Sequence, residues 1–145
     1  MPRDRVLKLI ERMGTSRIAV IGDLILDRYL VGDTERLSPE APVPVVTVRE
    51  HRSALGGAAN VAANVAAMGA TCQLVGVVGD DPTGRALRAE MATLRLTDAF
   101  VLTSAGRPTT SKTRVIARGQ QVVRIEEEVD RLLDGAELAR VTAKA

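Results

Sequence analysis

The sequence is poor in several residue types, and each shortage excludes something. It has one cysteine, Cys72, so no internal disulfide can form. Cys72 sits in the apolar run TCQLVGVVG, where a buried, inert thiol is expected. There is no tryptophan, and Tyr29 and Phe100 are the only aromatics. A single-strand nucleic-acid binder needs stacking platforms beside its basic groove. With few aromatics, a net charge of +2 and dispersed basic residues, no nucleic-acid partner is expected. No apolar run approaches the roughly 20 residues that span a bilayer, so no membrane partner is expected either. The N-terminal MPRDRVLKLIERMG lacks the uninterrupted apolar stretch of a secretory signal, and a cytoplasmic location is expected. The one histidine, His51, lies in a polar stretch and reads as a surface residue. No Walker A pattern occurs: Gly106 to Lys112 contains a lysine without the glycine that must precede it.

What remains suits a soluble globular domain: 145 residues, 46% apolar and 26% charged. Val6, Leu9, Ile10 and Met13 follow helical spacing, with Gly14 as the stop. Arg17–Ile21 reads as a central strand. An extended insert follows, with three prolines between Leu37 and Pro44 and a strand at Val45–Val48. Gly56-Gly57 opens an alanine-rich helix with Val61, Val65 and Met68 on one face. Cys72–Val78 reads as a buried strand. Asp81-Pro82 is an N-cap followed by proline at the first helical position, before a helix carrying Leu87, Met91 and Leu94. Ala99–Leu102 is a short strand. Thr110–Ile116 and Gln121–Ile125 form a hairpin around Arg118-Gly119, and a last helix begins near Leu132. Alternating strands and helices predict an α/β domain with a largely parallel sheet. The Pro-rich insert and the hairpin break that alternation and predict a separate small sheet.

Candidate site residues follow from position. Ligands of open α/β sheets bind beyond the carboxyl ends of the strands, which draws attention to Gly22, Asp23 and Asp27. There an acid either accepts hydrogen bonds from sugar hydroxyls or is a solvated loop residue or a cap. Gly56 and Gly57 let backbone N–H groups approach a ligand at a helix N-terminus, and Asn60 offers a donor and an acceptor. The same pattern also serves a tight turn with close packing. Lys112 and Arg114 alternate onto one strand face, with Arg124 on the partner strand; they either neutralise a substrate phosphate or form a charged sheet edge. Gly79 to Gly84 reads as a strand-to-helix turn rather than a metal site. Glu126 to Glu128 reads as a solvated acidic run.

The spacing Gly56-Gly57-Ala58-x-Asn60-x-Ala62, then Gly69 and Gly79, resembles the N-terminal signature of the PfkB (ribokinase-type) carbohydrate kinases. Within that family, VIGDLILDRYLVGDTERLSPEAPVPVV, GGAANVAANVAAMGA and TTSKTRVIARGQQVVRIEEE resemble the heptose-7-phosphate kinases, over Arg17 to Glu128. The resemblance implies a Rossmann-like ribokinase fold with a small β-sheet lid, its strands around residues 35–50 and 110–126, and a homodimer formed through the lid. It implies transfer of a phosphoryl group from ATP, with Mg²⁺, to the anomeric hydroxyl of the sugar phosphate D-glycero-D-manno-heptose 7-phosphate, supplying ADP-heptose for lipopolysaccharide core. It implies that Asp27 and Asn60 hold sugar hydroxyls, with Gly56 and Gly57 lining the sugar and Lys112 near the substrate. Ribokinase or fructokinase activity is the alternative within the family.

The family's Gly-Ala-Gly-Asp motif, which supplies its catalytic aspartate, does not occur in these 145 residues. The expectation is an N-terminal half of a kinase domain, 1–145, with no catalytic or metal-binding residue of its own. A non-catalytic remnant, or a sugar-binding and dimerisation module, is the alternative of a different class. A half sheet exposes a strand edge and apolar helix faces, so the chain alone is expected to be poorly soluble or oligomeric. Assayed with ATP and heptose 7-phosphate, the purified chain should stay at background turnover; turnover above a no-protein control would contradict this.

Overall fold

A computed structural model describes residues 2–144. The chain runs α1 (Arg3–Met13), β1 (Arg17–Ile21), β2 (Leu24–Leu37), β3 (Pro44–Gly56), α2 (Gly57–Ala67), β4 (Thr71–Gly79), α3 (Pro82–Thr93), β5 (Val101–Ser104), β6 (Thr110–Ala117), β7 (Gln120–Glu127) and α4 (Gly135–Thr142). Two sheets result. One is parallel, three-stranded and ordered β1-β4-β5; the other has four strands in the order β3-β2-β6-β7. Both the parallel sheet and the separate small sheet were expected. Among the described residues no helix is long and apolar enough to cross a membrane.

The core lies between the sheets and helices α2 and α3. Leu24, Leu26 and Leu55 from the second sheet meet Ala59 and Ala62 of α2, Leu87 and Met91 of α3, and Leu74 and Val78 of β4. Burying a leucine such as Leu26 (1% exposed) contributes about 2 kcal/mol. On β4, Leu74 and Val78 face this core. The intervening Val75 is also buried, and Gln73, on the same face as Val75, donates to the Lys144 carbonyl just past α4. Coverage on both faces explains why β4 is apolar without a break from Leu74 to Val78.

Several expectations are corrected. Among the described residues Arg17–Ile21 is not central: β1 pairs only with β4, and Ile18 and Ile21 are exposed. A continuous apolar run specifies a strand, not the number of its neighbours. Leu24–Leu37 is a fourteen-residue strand, where only an extended insert was expected, and β3 extends to Gly56 rather than ending at Val48. Pro39 and Pro42 occupy the connection, closed by the Ser38 N–H donating to the Val43 carbonyl at 2.8 Å, and Pro44 opens β3. The buried side of α2 is Ala59, Ala62 and Val65, while Val61 and Met68 are exposed. Small residues bring α2 close to the sheet, and larger ones would hold it off. Leu94 is exposed at the end of α3. The last strand before the hairpin is Val101–Ser104, two residues later than expected.

The final helix begins at Gly135, not Leu132, which is 92% exposed. Asp134 caps it: its carboxylate accepts from the Glu137 N–H, and Glu137 accepts in turn from the Asp134 N–H. Cys72 is half-buried rather than fully buried, and burial pushes its thiol pKa up, as an inert thiol requires. The apolar face of α1 is uncovered, with Leu9 and Ile10 exposed.

The Asp81-Pro82 cap is present and does more than expected. One carboxylate oxygen of Asp81 accepts from the Gly84 N–H and the other from the Thr109 N–H, both at 2.7 Å. Asp81 therefore ties the start of α3 to the entry of β6. Burial raises its pKa, but the hydrogen bonds from Thr109, Gly84 and Thr83 outweigh that and hold it below the usual aspartate value. A depressed carboxyl stabilises the fold above its unfolded pKa, and that contribution is lost as pH falls through the folded value. Asp81→Ala should cost about 1–3 kcal/mol in urea unfolding at neutral pH. The deficit should shrink as pH falls below the ordinary aspartate range; a deficit that does not change with pH would contradict it.

Candidate functional site

The site forms where β1 ends and β2 begins. After Ile21 the chain turns through Gly22, whose N–H donates to the Val75 carbonyl. The Asp23 carbonyl then accepts the Ala58 N–H at 2.9 Å, so the backbone of the β1–β2 turn satisfies the first turn of α2, whose N-cap Gly56 offers no side-chain cap. Gly57 has φ +56, and a Cβ there would lie 2.4 Å from the Asp23 carbonyl oxygen. Only glycine combines that conformation with that approach.

Strand β2 sets the register of the site. Asp27 lies beside Ala54 of β3 and Lys112 of β6, and Tyr29 beside Arg114. Alternation therefore places Ile25, Asp27, Tyr29, Lys112 and Arg114 on one face of the four-stranded sheet, away from the Leu24 and Leu26 core. The hairpin that carries the two cations turns as expected at Arg118-Gly119, with φ 50 and 78, the handedness that matches strand twist.

On this face charges pair closely. Arg114 Nη1 donates to Asp27 Oδ1 at 2.6 Å, and the Arg114 guanidinium lies 5.4 Å from the Tyr29 ring centroid. The Asp27 bond holds the Arg114 pKa above its ordinary value, against the opposing effect of partial burial. Lys112 Nζ lies 3.6 Å from Glu126 and 3.8 Å from Glu128. Arg124 pairs with Glu126 at 2.6 Å, and on the opposite face Glu127 accepts from the Ser111 hydroxyl at 2.7 Å. The Glu126–Glu128 run is thus not simply solvated: cross-strand neighbours on β6 give each acid a partner. His51 is exposed on β3, and Asn60 is exposed one turn into α2, accepting from the Asn64 amide at 3.4 Å.

Beside this face opens a cleft of about 520 Å³, a size that suits a small ligand. Asp23, Ile25, Thr110 and Lys112 line it, together with Arg107 and the segment 128–133. Arg107 and Arg131 were not anticipated as site residues. Arg107 donates to the Arg131 carbonyl at 3.0 Å, and Arg131 donates to the Gly106 carbonyl at 2.8 Å. Neither has a carboxylate within ion-pair distance among the described residues. Their approach is made by loops about 25 residues apart, which no local pattern signals. Among the sequence candidates, Asp27, Gly56, Lys112 and Arg114 come together; Asn60 is exposed on α2 and does not line the cleft, and Arg124 lies beside Arg114 across the hairpin and pairs with Glu126.

Residues 15–142 match the model of the pfkB family carbohydrate kinases. The chain belongs to this family. It is 50% identical over 129 residues to the bifunctional protein HldE of Azorhizobium caulinodans, covering 88% of this chain and 27% of that protein. It is 48% identical over 118 residues to the D-beta-D-heptose 7-phosphate kinase of Bordetella bronchiseptica, covering 81% of this chain and 37% of the relative. The chain thus spans between a quarter and two fifths of these relatives. Among solved structures, the Arabidopsis thaliana ribokinase complexed with ribose and ATP superposes with a TM-score of 0.60 at 20% identity, over 78% of this chain and 36% of that one. The Thermotoga maritima ribokinase superposes with 0.58 at 23% identity, over the same shares. These two likenesses establish the fold, which is the ribokinase-type α/β fold expected. Gly57→Ala should destabilise the chain by about 1–3 kcal/mol in urea unfolding, because it forces a side chain into positive φ against a carbonyl. A change below about 0.5 kcal/mol would contradict that reading.

Proposed function

We propose that this chain is the sugar-binding, N-terminal part of a PfkB kinase domain. In this reading the whole enzyme transfers the γ-phosphoryl group of ATP to the anomeric hydroxyl of D-glycero-D-manno-heptose 7-phosphate, a step toward ADP-heptose and lipopolysaccharide core. The observation that carries the reading is the pairing of two chemistries at one place. Asp27 is a carboxylate suited to hydroxyls, and the adjoining cleft holds Lys112, Arg107 and Arg131, suited to a phosphate. The name of the Bordetella bronchiseptica relative, at 48% identity, supports heptose 7-phosphate as the sugar.

Asp27 and Asn60 would accept and donate to sugar hydroxyls, Gly56 and Gly57 would let the backbone approach the ring, and Lys112 would meet the phosphate. Such catalysis is largely positioning plus electrostatic stabilisation, and this chain's share is positioning. ATP use is supported by the structurally similar Arabidopsis ribokinase, which is complexed with ribose and ATP. Among the described residues no three of His, Cys, Asp or Glu gather as metal ligands, and no step is assigned to Mg²⁺. The lid is the sheet β3-β2-β6-β7, and a homodimer would form through it.

A second reading, a non-catalytic sugar-binding or dimerisation module, draws on β7, where Val122, Val123 and Ile125 are exposed. Calorimetric titration with heptose 7-phosphate separates the two. The sugar-binding reading predicts saturable binding, weakened at least about tenfold by Asp27→Ala and by Asn60→Ala. No binding by the unmodified chain would overturn it in favour of the second.

A further inference from the structure

We infer that Arg114 does not meet the substrate phosphate but is a positioning residue. Together with the notch at Gly56, it fixes the Asp27 carboxylate so that one oxygen is presented to a sugar hydroxyl. The inference rests on the sugar-binding reading above and concerns how that site is built.

The geometry divides the two oxygens of Asp27. Oδ1 accepts from Arg114 Nη1 at 2.6 Å. Oδ2 has no hydrogen-bond donor among the described residues, yet Asp27 is only 19% exposed at its side chain. A Cβ built on Gly56 would lie 2.7 Å from Oδ2 and 3.1 Å from Cγ. The carboxylate therefore occupies the space that any other residue at 56 would fill. An aspartate clashing with a new methyl group could ordinarily swing away. Here it cannot do so without giving up its charge-assisted bond to Arg114, which is worth more than a neutral one.

Arg114 is itself held. Its strand neighbour is Tyr29, not Asp27, and it reaches back along β2 to the acid while its guanidinium stays over the Tyr29 ring. The Arg114 guanidinium is committed to a carboxylate and an aromatic face, and it does not line the cleft. The cations that line the cleft are others: Lys112, Arg107 and Arg131. The two glycines of the Gly56-Gly57 motif thereby have separate tasks. Gly57 admits the Asp23 carbonyl, and Gly56 admits the Asp27 carboxylate.

The test compares D-glycero-D-manno-heptose 7-phosphate with the unphosphorylated heptose by calorimetry on the purified chain, with thermal melts to show each variant folded. Arg114→Gln should weaken both sugars by the same factor, about tenfold or more. Lys112→Ala should weaken the phosphorylated sugar more than the other. The double variant Asp27→Asn/Arg114→Gln should bind no more weakly than Asp27→Asn, since Arg114 acts through Asp27. Gly56→Ala, an independent variant should Arg114→Gln fail to fold, should also weaken both sugars alike. Arg114→Gln weakening only the phosphorylated sugar, additive losses in the double variant, or unchanged affinities in Gly56→Ala would overturn the inference while leaving the sugar-binding reading intact. Failure of the unmodified chain to bind either sugar would overturn both.

Discussion

Strand β2 has two faces, and the period-two alternation of its side chains is the constraint on which the rest depends. Leu24 and Leu26 point into the core against α2 and α3. Ile25, Asp27 and Tyr29 point the opposite way, Ile25 lining the cleft and Asp27 and Tyr29 meeting Arg114 of β6. A slip of one residue would bury Asp27 among leucines and expose Leu26, so the register is fixed by a large energy gap. Because β2 pairs with β3 on one side and β6 on the other, the same register aligns Gly56, Lys112 and Arg114 with Asp27. Hydrophobic burial on one face thus sets the polar geometry on the other.

The polar face is governed by neutralisation. Asp27 takes Arg114, Lys112 takes Glu126 and Glu128, and Arg124 shares Glu126. These pairs are partly exposed, so each contributes little to stability; their effect is to fix orientation. Arg107 and Arg131 differ, since they hold each other's loops through carbonyls and have no carboxylate within ion-pair distance among the described residues. The chain matches 27% and 37% of the length of the two relatives described above.

Features decided by local rules were legible in the sequence. Asp81-Pro82 reads as a cap because both partners lie within one turn. The Arg118-Gly119 hairpin reads because two residues set its twist, and Gly56-Gly57 because the glycines precede a helix. What escaped was decided at a distance. The strand character of Leu24–Leu37 is hidden by its charged residues, whose partners arrive from β3, β6 and β7. The edge position of β1 cannot be read from Ile18 to Ile21, since apolarity does not report which neighbours are present. The partnership of Asp27 and Arg114 joins residues 87 positions apart, and the Arg107–Arg131 exchange is a loop-to-loop contact with no periodic signature. The family motif marked Asp27 and Gly56 separately; that one needs the absence of the other's Cβ became visible only in three dimensions.

The most direct test of the central claim is a crystal structure of this chain with heptose 7-phosphate bound. The account predicts a sugar hydroxyl within hydrogen-bond distance of Asp27 Oδ2, Arg114 still on Oδ1, and the phosphate among Lys112, Arg107 and Arg131. A sugar bound away from Asp27, or Arg114 released from Asp27 and seated on the phosphate, would contradict it.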